Sequence, residues 1–81
     1  MKQLLKFSAT WCGPCKMLST SIQQADLGDV ELIEIDIDEQ FDKATEYNIR
    51  GVPTLVLVED GTEVKRKSGF MMAKEVEEFI Q

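Results

Sequence analysis

Leu4, Leu5 and Phe7 make a short apolar run between Lys2 and Ser8, which reads as a strand even though Lys6 interrupts it. Met17, Leu18, Ile22 and Ala25 then recur at helical spacing. They predict a helix from Cys12 to about Ala25 with those four side chains inward. Pro14 is tolerated in its first turn, where a backbone N–H would be unpaired anyway, and Gly28 suits its stop. Val30 to Ile37 is rich in β-branched residues and reads as a second strand. Asp38 offers an N-cap for a helix over about residues 39–47, with Phe41, Ala44 and Tyr47 on one face and Asn48 ending it. Leu55-Val56-Leu57-Val58 is unbroken, as expected of a strand buried on both faces. Asp60-Gly61 signals a hairpin into Glu63 to Lys67. A last helix over about residues 72–80 would turn Met72, Val76, Phe79 and Ile80 inward, and it has no Ser, Thr, Asp or Asn to cap it.

The order is βαβαββα. Its first βαβ unit must be parallel and right-handed, and its last two strands antiparallel. The expectation is an α/β fold, a small mixed sheet with helices on both faces. Eighty-one residues suit a single domain, 1–81. A chain this short buries only about 60–65% of its unfolded surface, so the core is thin.

The formal net charge of −6 argues against nucleic acid as a main ligand, because phosphate binding needs clustered Lys and Arg. The one basic run, Lys65-Arg66-Lys67, fits a solvated strand face. No run approaches the ~20 apolar residues of a membrane span. Leu4-Leu5 is too short for a signal-peptide core. The expectation is a cytoplasmic protein, where a lasting structural disulfide would be out of place.

The only two cysteines, Cys12 and Cys15, therefore need another explanation. A zinc site needs four ligands, and with no histidine the rest would have to be carboxylates or come from a second chain. Burial for packing alone suits cysteine, but Gly13-Pro14 between the two favours a turn entering a helix. A working dithiol has a mechanism. Helix N-termini carry partial positive charge and unpaired N–H groups, which ease loss of the thiol proton. Cys12 would sit at that terminus as an exposed attacker. Cys15 would lie one turn deeper on the same face as a sheltered resolver.

Trp11-Cys12-Gly13-Pro14-Cys15-Lys16 resembles the thioredoxin active-site motif in full, and Arg50-Gly51-Val52-Pro53-Thr54 resembles the thioredoxin loop whose proline is cis and faces the cysteines. Ile35-Asp36-Ile37-Asp38 and Gly69 also fall at thioredoxin-like spacings. The resemblance implies that Cys12 is the nucleophile, Cys15 the resolving thiol, and Pro53 their neighbour across the site. Val52 would offer its backbone to an extended substrate, and Trp11, Gly51, Val52 and Gly69 would rim the docking surface.

Four departures stand out. These 81 residues start at the strand before the cysteines, without the extra strand and helix with which thioredoxins usually begin. The implied architecture is thus a three-layer α/β/α core like that of glutaredoxins, with sheet order 2-1-3-4. Thr20 stands where the long active-site helix usually has a proline, and Ser8 replaces a common tryptophan. Finally, Lys6 occupies the place of a buried aspartate six residues before the first cysteine, and Glu34 the place of its usual lysine partner. This pair is expected to face each other under the site, with Lys6 near Cys15; the competing reading has Lys6 snorkelling to water. A neutral amine would accept the Cys15 proton. A charged ammonium, favoured by Glu34, would stabilise the thiolate and raise the reduction potential above the roughly −270 mV of thioredoxin.

The resemblance implies a monomeric protein-disulfide reductase in electron transport and cell redox homeostasis. Oxidised proteins would be its substrates. A flavin- and NADPH-dependent thioredoxin reductase would be its electron donor, and the Cys12–Cys15 disulfide its redox group, with no bound cofactor. A glutaredoxin-like enzyme reduced by glutathione is the first alternative, opposed by Gly13-Pro14 and by the lack of an evident basic pocket. The second is a non-catalytic binding module docking through Trp11, Val52 and Met71-Met72.

Overall fold

A computed structural model describes residues 1–81. The elements are β1 (Lys2–Ser8), α1 (Gly13–Gln24), β2 (Glu31–Asp36), α2 (Phe41–Glu46), β3 (Thr54–Glu59), β4 (Thr62–Ser68) and α3 (Ala73–Phe79). They form one mixed sheet of order β2-β1-β3-β4. β1 pairs parallel with β2, and β3 pairs antiparallel with both β1 and β4. The expected order and directions hold.

Strand alternation divides the core into two layers. Leu4 of β1 and Leu55 and Leu57 of β3 meet Leu18 and Ile22 of α1, Val76 of α3, and Met71 and Ile80 beside α3. Leu5 and Phe7 of β1 meet Ile35, Val56 and Val58 on the opposite face, with Tyr47 and Ile49 packed against them. The Phe7 and Tyr47 rings lie 5.6 Å apart. The unbroken run of β3 is thus buried on both sides, as its sequence indicates. The same alternation puts Lys6 on the Leu4 face, under α1. Asp60 (φ 52°) and Gly61 (φ 85°) make the β3–β4 hairpin, both with the positive φ of a tight hairpin turn. All of β4 is exposed, including Lys65-Arg66-Lys67.

Three apolar placements differ from expectation. Met17 is exposed, because the buried arc of α1 runs through Cys15, Leu18, Ser21 and Ile22 instead. Phe41 is also exposed. Helix α2 has only six residues, and Ala44 is the buried one. Met72 is exposed while its neighbour Met71 is in the core. Met72 is the N-cap of α3, and its N–H donates to Glu75 Oε1 at 3.0 Å, the cap that the sequence did not reveal.

Candidate active site

Cys12 is the N-cap of α1, with extended backbone, and Pro14 occupies the first turn. The Cys12 N–H donates to Ala9 O at 3.2 Å, which fixes the turn leaving β1. The Cys15 N–H, one of the donors that a helix start leaves without a backbone partner, donates to Cys12 Sγ at 3.1 Å. The sulfur thus replaces the oxygen of an ordinary capping side chain. The two cysteines form a disulfide with Cα atoms 5.3 Å apart. Both are shielded in this state: Cys12 is 5% exposed and Cys15 2%, so the expected contrast between exposed attacker and sheltered resolver is slight.

The disulfide packs with Ala9 against Ile37 and Val52. Val52–Pro53 is a cis peptide bond, and Pro53 is buried. Pro53 O accepts the Gly69 N–H at 2.8 Å. Thr54 Oγ1 donates to Gly51 O at 2.7 Å and shares a hydrogen bond with Ser68 Oγ at 3.1 Å. These bonds tie the Gly51–Thr54 segment to the start of the Gly69 loop. Gly69 has φ 99°, a conformation that glycine adopts without a Cβ penalty. Trp11 stands exposed beside the disulfide, with its indole N–H on Asp38 Oδ2 at 2.9 Å. Asp38 is held in turn by its own N–H on Asp36 Oδ1 at 2.8 Å.

Lys6 and Glu34 are register partners on β1 and β2. Lys6 Nζ lies 3.2 Å from Glu34 Oε1. The lysine side chain is 4% exposed and the glutamate 63%, so the pair spans the protein surface rather than lying wholly within it. Lys6 Nζ also donates to Ser19 Oγ. Ser19 is a partner that the sequence did not reveal; Asp38, expected as the N-cap of the second helix, holds the Trp11 indole instead, because α2 starts after Gln40 without a side-chain cap. The available signal for Ser19 was its position four residues after Cys15, on the same helix face. No group of three or more His, Cys, Asp or Glu side chains is arranged to hold a metal ion.

The family model for thioredoxin matches residues 1–81. The chain belongs to the thioredoxin family. It is 41% identical over 70 residues to the thioredoxin of Mycoplasma genitalium, covering 84% of this chain and 69% of that one. It is 44% identical over 68 residues to thioredoxin H2 of Arabidopsis thaliana, covering 82% of this chain and 51% of that one. Among solved structures, a single-substitution mutant of a thioredoxin from Halobacterium salinarum NRC-1 superposes with TM-score 0.89 at 39% identity, covering 98% of this chain and 71% of the other. With the family established, the protein is a thiol–disulfide oxidoreductase of the protein-disulfide reductase type, and the Cys12–Cys15 disulfide is its redox group.

Proposed function

We propose that residues 1–81 act as one unit in which Cys12 is the attacking thiolate and Cys15 the resolving thiol. The carrying observation is the Cys15 N–H on Cys12 Sγ at 3.1 Å, at the start of a 12-residue helix. A sulfur there bears negative charge more readily than a free thiol. Cys12 attacks a substrate disulfide, one substrate thiol leaves, and a mixed disulfide forms. Cys15 then displaces the second substrate sulfur and closes the internal disulfide. Val52, packed against the sulfurs, and the Gly51 and Gly69 backbones offer an edge to an extended chain, with Trp11 as an apolar wall. Pro53 holds that edge in place through Gly69. Oxidised proteins are the substrates in this reading. A flavin- and NADPH-dependent thioredoxin reductase returns the electrons, as is general in the family, and a monomer in the cytoplasm is the setting. No helix is long and apolar enough to cross a membrane.

The test follows NADPH oxidation with a protein disulfide as final acceptor, supplying either thioredoxin reductase or glutathione with glutathione reductase. Turnover is expected in the first system and only background in the second. Cys12→Ser is expected to abolish turnover, and Cys15→Ser to trap a mixed disulfide with substrate. Turnover by glutathione alone would transfer the protein to the glutaredoxin-like reading. Full activity in Cys12→Ser would overturn the assignment.

A further inference from the structure

Lys6 is the only charged residue among the 21 buried ones. Its surroundings specify how its donors are used. Ser19 donates its hydroxyl hydrogen to Cys15 O at 3.1 Å, so the Ser19 oxygen is left to accept from Lys6. Glu34 Oε1 accepts a second Lys6 N–H at 3.2 Å. A lysine ammonium has three donors, so one remains without a protein acceptor. Lys6, Ser19 and Cys15 all line one cleft of about 150 Å³, large enough for water.

We propose that this remaining donor serves Cys15. In the reduced protein the Lys6 ammonium, directly or through one water in the cleft, is the counter-ion of the Cys15 thiolate, and Ser19 is the positioning residue that holds it there. The inference rests on the dithiol reading above. During resolution the Cys15 thiol gives its proton to water in the cleft. The thiolate attacks Cys12 Sγ of the mixed disulfide. The Cys12–Cys15 bond forms and the bond from Cys12 to substrate breaks. The electron pair leaves on the substrate sulfur, which takes a proton from solvent. The dithiol is oxidised, the substrate reduced, and Lys6 keeps its proton throughout. Glu34 is largely in water, so its charge is screened more than that of the buried ammonium acting on a buried sulfur. The other charged groups on the cleft are Lys16 of α1 and Asp36 of β2.

The experiment titrates the Cys15 Cβ carbon by NMR in the reduced protein and equilibrates each variant with a glutathione redox buffer. In Lys6→Met, the Cys15 transition is expected to move to higher pH. The dithiol–disulfide equilibrium should shift toward disulfide by up to about tenfold, or about 30 mV for a two-electron couple. Lys6→Arg should restore most of both shifts, and Ser19→Ala should reproduce part of them. An unmoved Cys15 transition in folded Lys6→Met overturns the proposal. If Lys6→Met does not fold, Ser19→Ala decides: unmoved Cys15 readouts, or a shift toward dithiol, are equally fatal. Absence of turnover in the wild type would sink the dithiol reading itself. An active protein with unmoved Cys15 readouts would sink only this inference.

Discussion

The start of α1 makes a quantitative demand on Cys12. When the disulfide is opened, the Cys15 N–H at 3.1 Å becomes a hydrogen bond to a thiolate. A hydrogen bond to a charged group contributes about 1.5–3 kcal/mol, and a charge at a helix N-terminus about 0.3–1 kcal/mol more. Taking about 2 kcal/mol for the two together, the thiolate-to-thiol ratio should exceed that of a disordered peptide about 30-fold. Reactivity rises less than this, because a stabilised thiolate is a weaker nucleophile. With a Brønsted coefficient of about 0.45, each thiolate loses roughly fivefold in rate. At pH 7 the folded site also begins to saturate, leaving only about a threefold net advantage over a free thiol, too small to be decisive. At pH 5 neither form is saturated, and the net advantage is about six- to sevenfold. The assay compares iodoacetamide alkylation of Cys12 at pH 5 in the reduced folded protein and in a peptide of residues 8–19, with mass spectrometry separating Cys12 from Cys15. Equal rates at pH 5, within a factor of two, would refute the capping argument.

Phe7 is wholly buried and packs on the Tyr47 ring. Phe7→Ala should cost about 3–5 kcal/mol in urea unfolding, a large part of the roughly 4–12 kcal/mol expected of a chain this size; a loss under 1 kcal/mol would contradict the two-layer core. At Gly69, φ is 99° and an added Cβ would meet nothing within 4 Å. Gly69→Ala should therefore cost about 1–2 kcal/mol from backbone strain alone, and a neutral or stabilising change would reject that account. Arg66 donates to both Glu63 oxygens, at 2.7 and 2.8 Å, and holds that carboxyl below its ordinary range. A carboxyl lowered on folding adds stability above its unfolded pKa and loses it as pH falls through the folded value. Exposure keeps this contribution under about 1 kcal/mol. In Arg66→Gln the Glu63 NMR titration should move to higher pH, and no movement would exclude the guanidinium as the cause.

The sequence carried the element order because each run has a strong local signal. β3 is apolar at every central position, and Asp60-Gly61 allows the two positive φ values of its turn. The two motifs about the site were equally local: Cys12 to Cys15 lie within one helical turn, and Gly51 to Thr54 are consecutive. The failures occur where an arc of a helix had to be chosen. Met17 and Leu18 are adjacent, about 100° apart around α1, and only one can lie in the centre of a narrow face. The sheet chose Leu18, because Cys15 must point inward to reach Cys12. Phe41 stayed outside because a six-residue helix has room for one inward position, taken by Ala44, with Tyr47 beyond its end covering Phe7. Ser19 could be placed near the site by its spacing from Cys15, four residues along the same helix face, but nothing local marks Lys6 as its partner across the layer. Lys6 itself was conspicuous because it interrupts an apolar run and stands at the place of the family's buried aspartate; in the fold, alternation along β1 puts it with Leu4 on the side of α1. Burying an ammonium there costs several kcal/mol unless acceptors and a counter-charge meet it. Glu34 and Ser19 supply these, and the helix that carries Ser19 also carries both cysteines. The interactions that make a buried lysine tolerable in β1 are therefore the ones that fix its charge beside the resolving sulfur.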